Sequence, residues 1–153
     1  MTANTTSAHT ARSSVQIVSG IFGAVFLLVG VLGFIPGITK DLDTIMFAGH
    51  QSQAALLGLF QVSVLHNIVH LLFGVVGLLG LRSGRLAKTY LILGGIVYAV
   101  LWIYGLIVPM ESMGNFVPLN TADNWLHFVL AVAMVTTGIV FGRTVRKVTR
   151  PAL

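Results

Sequence analysis

An all-α fold, a single four-helix transmembrane bundle with both termini in the cytoplasm, is what this sequence predicts, and three observations predict it. The 153 residues are 56% hydrophobic and only 8% charged, whereas soluble domains carry about 25% charged residues. The apolar residues fall into four runs long enough to cross a bilayer. All but one of the basic residues lie in segments that four spans place on the same side.

Residues 1–14 (MTANTTSAHTARSS) are polar, with one charge, Arg12, and one imidazole, His9. They read as a disordered tail. The first span is Val15 to Ile35, free of charge and about 31 Å long as a helix, against a hydrocarbon core of about 30 Å. Arg12 before an apolar run also fits a signal peptide, but this run exceeds the usual apolar length and no small-x-small cleavage site follows Gly33, so a retained helix is expected. Gly33 to Gly37 (GFIPG) ends it with a Pro-Gly turn signal. The second apolar stretch runs from Ala54 to Leu81, spanning from Val62, with Ser52 to Leu59 read as a short interfacial helix. The third runs from Lys88 to Val108 and stops at Pro109. The fourth runs from Ala122 to Phe141, with Asn120 as its cap and Asp123 in its first turn, where an acid suits the helix dipole. These spans make one domain, 15–142, followed by a basic tail, 143–153.

Charge orients the bundle. Arg12, the Arg82/Arg85/Lys88 link and the Arg143/Arg146/Lys147/Arg150 tail share one side. The opposite loops hold Lys40 and all four acids, Asp41, Asp43, Glu111 and Asp123. The positive-inside rule then predicts a multi-pass protein of the cell membrane, N-in and C-in. The net charge of +5 is explained by this orientation, so no nucleic-acid partner is expected. The bilayer is the expected partner. Glycines spaced along the helices (Gly20, Gly23 and Gly30; Gly74, Gly77 and Gly80; Gly94-Gly95) favour close helix packing, and glycine faces left exposed would serve a homo-oligomer or another membrane protein.

Polar chemistry is concentrated in a motif that occurs twice, His66-Asn67-Ile68-Val69-His70 and Asp123-Asn124-Trp125-Leu126-His127. Asn-x-x-His puts amide and imidazole on one helix face, and polar groups at membrane depth mark a candidate site. A duplication of helices 1–2 as helices 3–4 stays open, although counting from Arg82 and Arg143 makes His66, not His70, level with His127. The plainer reading of the cluster His66, Asn67, His70, Asp123, Asn124 and His127 is hydrogen bonding that joins helices 2 and 4. The sharper one is a metal site. His66 and His70 share a face at i,i+4, His127 would be a third ligand, and Asp123 a fourth ligand or an acceptor fixing an imidazole tautomer; zinc or copper suits imidazole. Haem, held by His66 and His127, is a variant of it. A proton path would want ionisable groups deeper in the helices, and there are none. Gln61 and Ser63 read as a cap of helix 2 or an extension of the cluster. Tyr98, Trp102, Tyr104 and Trp125 read as interface or core residues, with Tyr98 and Trp102 stacked.

No catalytic motif is present: no Gly-x-Ser-x-Gly, no His-Glu-x-x-His, no paired carboxylates at depth. With no cysteine, thiolate chemistry is excluded. A non-enzymatic structural or accessory role without a cofactor is the expectation, with metal or haem binding as the alternative.

The stretches GFIPGIT (33–39), FAGH (47–50), LLGLFQVSVLHNIVHLLFGVVGL (56–78) and NFVPLNTADNWLHFVLA (115–131) resemble a family of small four-helix bacterial membrane proteins, chiefly from high-GC Gram-positive bacteria, known only as a domain of unknown function. The LHNxxHLxxG and ADNWLH strings are the most specific part, and the likeness extends over about residues 15 to 142. It implies four spans and a membrane location, and brings no activity, cofactor or catalytic residue.

Overall fold

The structure, a computed structural model, describes residues 11–148. Most of the tail expected over 1–14, and the end of the basic tail expected over 143–153, lie outside the described residues. Four helices carry the fold: α1 (Ser14–Leu32), α2 (Val64–Leu79), α3 (Gly84–Ile107) and α4 (Thr121–Val148). The 3-10 turn Gly80–Arg82 continues α2, and with it all four are long and apolar enough to cross a membrane. Burial is inverted relative to a soluble bundle. Leu28, Leu72, Val100 and Val129 point outward, more than half exposed, while Ser19, Gly23, Asn67, His70, Gly74 and Gly95 are buried. Such a surface is stable only in lipid, where small residues bring backbones together. The chain is an integral membrane protein.

Polar side chains start the helices. Gln16 Oε1 accepts the Ser13 N–H (2.9 Å), while Gln16 Nε2 donates to Leu81 O (2.9 Å), tying the start of α1 to the end of α2. Ser63 Oγ accepts the His66 N–H (3.1 Å) and so caps α2, one of the two roles expected of Ser63. Three boundaries differ from expectation by three residues or more: α1 ends at Leu32, short of Ile35. α3 begins at Gly84, before Lys88, and α4 runs on to Val148, past Phe141 and into the stretch read as a tail.

The interfacial helix expected over Ser52–Leu59 does not form. Strands β1 (Thr39–Lys40), β2 (Ala55–Leu56) and β3 (Phe60–Gln61) make a small antiparallel sheet in the order β1-β2-β3, pairing Thr39 with Leu56 and Leu56 with Phe60. Burial alternates over this stretch: Ser52, Ala54 and Leu56 face in while Gln53 and Leu57 face out, the period of extended chain. Leu57 and Gly58 then turn it with φ of 54° and 67°, left-handed values that oppose helix propagation. The sheet is a lid on one end of the bundle, with Ala54, Leu56 and Val62 packed on Val29 and Leu32 of α1.

The bundle is two hairpins. α1 packs chiefly on α2 and α3 chiefly on α4, and α1 also leans on α3. An offset of 72 residues carries Gly23, Phe26 and Gly33 onto Gly95, Tyr98 and Gly105; an offset of 57 carries Ser63, Asn67, His70 and Leu78 onto Asn120, Asn124, His127 and Val135. Contacts repeat at these offsets. A Cβ on Gly23 would meet Leu78 N at 2.6 Å and Gly74 O at 2.8 Å; one on Gly95 would meet Val135 N at 3.0 Å and Ala131 O at 3.1 Å. Elsewhere bulk changes sides. Gly20 lies against Leu81, whereas Ile92, its equivalent, lies against Gly138. The Gly30–Leu71 contact becomes Trp102 on Phe128, ring centroids 4.9 Å apart. Phe26 and Tyr98, equivalent residues, stack on each other at 5.5 Å and 14°, as residues beside a two-fold axis do. The second hairpin therefore repeats the first in parallel orientation about an axis along the bundle.

Candidate functional site: imidazoles between twin cavities

The head of α4 is locked to the lid. Asp123, 2% exposed, accepts through Oδ2 from Asn120 N (3.1 Å) and from Gln61 N in β3 (3.0 Å). Asn120 Oδ1 in turn accepts from Asp123 N (2.9 Å), which makes a reciprocal capping box. Asn120 Nδ2 reaches Leu59 O (2.8 Å), and Gln61 Nε2 secures the preceding loop at Ser52 O (2.6 Å) and His50 O (3.1 Å). The capping role expected of Asn120 is present.

The two asparagines sit elsewhere. A Cβ on Gly33 would fall on the Asn67 amide, and one on Gly105 would fall on the Asn124 amide. Each asparagine therefore faces the glycine of its own hairpin partner, at equivalent positions of the repeat. Both Asn67 amide atoms and Asn124 Oδ1 are buried without a hydrogen-bond partner among the described residues. The absence of a side chain at each glycine leaves the room that the amide fills.

The imidazoles form the centre. His66 and His70 stack at 4.4 Å and 14°. His70 Nδ1 is 3.0 Å from His66 O, so Nδ1 carries the proton and a neutral ring keeps Nε2 as an acceptor. His127, 3% exposed, lies 5.3 Å from the Tyr98 ring, as His70 lies 5.7 Å from Phe26. Its Nδ1 has no hydrogen-bond partner among the described residues. The packing thus follows the motif register, His70 with His127, and not the count from the basic residues. That count took Arg82 and Arg143 as level, whereas α2 ends in its 3-10 turn and α4 continues well beyond Arg143.

Three observations bear on the expected cluster. Its six members do not all meet in one pocket: the asparagines belong to the helix seams, while Asp123, held by the cap, lines one cavity together with His66, His70 and His127. Among the described residues no hydrogen bond links the α2 members to the α4 members, so the tie to α4 runs through β3 and the lid. The stacked pair His66 and His70 is not arranged as a chelate. Ring lone pairs lie in the ring planes, and the near-parallel planes of His66 and His70 do not send them to one point about 2.0–2.1 Å from each nitrogen. No metal-holding group of three His, Asp or Glu side chains occurs among the described residues.

Two cavities flank the imidazoles. One, of about 230 Å³, opens between α2 and α3 and is lined by Val69, Phe73, Val97, Tyr98 and Phe116 together with His66, His70 and His127. The other, of about 250 Å³, opens between α1 and α4, lined by Val25, Val29, Leu126, Leu130 and Asp123 and by the same three histidines. Under the repeat Val97 maps to Val25, Leu101 to Val29, Val69 to Leu126 and Phe73 to Leu130, so the cavities are twins. His66 in one corresponds to Asp123 in the other.

Several of these residues carry no polar signal in the sequence. Phe26, Phe73 and Tyr98 form the aromatic wall beneath the imidazoles, and only the helical spacing of Tyr98 singled it out. The expected Tyr98–Trp102 stack gives way to Tyr98 on Phe26 and Trp102 on Phe128. The glycines expected to favour close helix packing, Gly20, Gly23, Gly30, Gly74, Gly77, Gly80, Gly94 and Gly95, are all buried in seams of the chain itself.

No curated protein matches the chain, and no solved structure does. The family described as "Domain of unknown function (DUF4383)" matches residues 16–140, nearly the whole bundle from α1 into α4, and the chain belongs to it.

Proposed function

We propose that this chain is a non-enzymatic accessory protein of the cell membrane, inserted N-in and C-in, whose polar groups shape and close its own bundle. The observation that carries the reading is where those groups are spent. The Asp123 carboxylate accepts two backbone N–H groups, His70 Nδ1 donates to its own helix, and Asn120 and Gln61 fasten the lid. Its surroundings are the bilayer and, in this reading, a second copy or another membrane protein, with no nucleic acid. Replacement of a stacked histidine, His66→Ala or His70→Ala, is expected to lower stability in detergent by about 1–3 kcal/mol in a protein purified without metal or haem. Stoichiometric zinc or copper, or a Soret band, lost in these variants while their melting temperatures hold, would replace this reading with a cofactor site.

The orientation rests on the distribution of charge. The fold gathers Arg12, Arg82, Arg85, Lys88 and Arg143 at one end, and Asp41, Asp43 and Glu111 at the lid end. Since the chain lacks cysteine, single cysteines report topology directly. Asp43→Cys and Met113→Cys are expected to react with an impermeant maleimide on intact cells, and Arg85→Cys only after permeabilisation. The reverse pattern would invert the protein.

A further inference from the structure

We propose that the cavity between α2 and α3 binds the ring of a membrane-dissolved quinone or quinol. This goes beyond the accessory role and does not depend on it. Four features select that occupant. The first is size. The cavity is about 230 Å³, and a dry cavity of about 150 Å³ holds benzene, so one substituted ring fits where a porphyrin does not.

The second is the wall. Phe73, Tyr98 and Phe116 line it with Val69, Val97, Leu101 and Pro118, surfaces against which a flat ring packs at favourable aromatic distances. The third is the route. Val69 and Val97, 42% and 43% exposed, flank the cavity on the lipid-facing surfaces of α2 and α3. A ligand therefore reaches it sideways from the bilayer rather than from water.

The fourth is the polar end. No hydrogen bond among the described residues holds the His127 proton at its buried Nδ1, so the ring can carry it at Nε2, the nitrogen left to donate. His70 Nε2 is an acceptor, because Nδ1 is the nitrogen bound to His66 O. One imidazole able to donate and one able to accept stand in the same wall. Ring oxygens that interconvert between carbonyl and hydroxyl match that pair in either state, whereas an acyl chain would leave both imidazoles unanswered. The twin cavity shares the three histidines, adds Asp123, and offers one aromatic ring, Phe60, against Phe73, Tyr98 and Phe116 here, so the ring is assigned to the α2–α3 side. The proposal concerns binding alone and includes no electron transfer.

The test uses the full chain in lipid nanodiscs, carrying Trp125→Phe so that Trp102 on α3 is the sole reporter. Decylubiquinone is titrated while tryptophan quenching is read. Saturation at one quinone per chain is expected, over and above the linear quenching caused by partition into lipid. Val97→Phe, which fills the lateral mouth from a lipid-facing position, should abolish the saturable part. Val25→Phe, its twin in the other cavity, should leave it intact. His127→Leu should weaken binding about tenfold, the scale of one hydrogen bond in a dry site. Quenching that stays linear with quinone content overturns the proposal, as does saturation that survives Val97→Phe or is lost equally in Val25→Phe. Unchanged affinity in a folded His127→Leu protein overturns the polar anchor.

Discussion

Gly23→Ala should destabilise the protein by about 1–3 kcal/mol, the range for forcing a methyl group into a filled space, and Gly23→Leu should prevent folding. Ordinarily alanine stabilises a helix by about 1 kcal/mol relative to glycine, so the sign of the effect is the informative part. The added Cβ would lie 2.6 Å from Leu78 N, 2.8 Å from Gly74 O and 2.8 Å from Gly77 C, all backbone atoms of α2. No side-chain rotation relieves such a contact, and α1 and α2 must move apart along their whole seam. Gly95→Ala, at the equivalent position, should cost less. Its nearest neighbour is the Val135 Cγ2 methyl at 2.7 Å, and the backbone atoms stand off at 3.0 Å and 3.1 Å. Gly114→Ala, with nothing closer than 3.3 Å, is the neutral control. Thermal and denaturant unfolding in detergent micelles would rank the three. A Gly23→Ala protein more stable than the parent would show that the hairpin seam is looser than described.

Asp123→Ala should be the most damaging polar substitution, by roughly 2–4 kcal/mol. It leaves the Gln61 and Asn120 N–H groups without their shared acceptor, and an unsatisfied buried donor costs about 1–3 kcal/mol. It also removes half of a capping box. The loss should be localised. Hydrogen exchange should accelerate at Gln61 and in the first turn of α4 while the midpoint of α3 stays protected, because the lid opens from α4 before the hairpins separate. Asp123→Asn keeps an oxygen able to accept both bonds and should recover much of the stability. If the asparagine variant were as unstable as the alanine one, the negative charge itself, and not its geometry as an acceptor, would be what the lid requires.

The sequence made the four spans legible because lipid imposes a single requirement, a long run of apolar residues with internally satisfied backbone, and composition alone meets or fails it. The cap at Asn120 and Asp123 was legible too, since its chemistry is local in the chain. The lid was not. Ala54 to Phe60 (AALLGLF) is apolar throughout, so the period-two burial of Ser52, Ala54 and Leu56 leaves no alternation to read. The repeat was half legible: Asn-x-x-His announced it on α2 and α4, but on α1 and α3 it is written in contacts. Where Gly20 meets Leu81, Ile92 meets Gly138; the summed volume is kept while the residues trade places, and identity disappears. The imidazole trio was partly legible. Spacing put His66 and His70 on one face, but only the packed structure shows them ring on ring, a pose unsuited to chelation, with His127 against Tyr98.

The parallel relation of the hairpins bears on assembly. Both copies enter the bilayer in the same direction, and each ends in basic residues, Arg82 after the first and Arg143 late in the second. Half a chain is thus already a complete unit of insertion. A single hairpin of this kind, paired with a second copy, would need no flip of topology to make the same bundle, only a link as short as the one at Ser83. The halves differ in their outer loops, the first being the longer, and in Asp123 of the second, which stands where the first has His66.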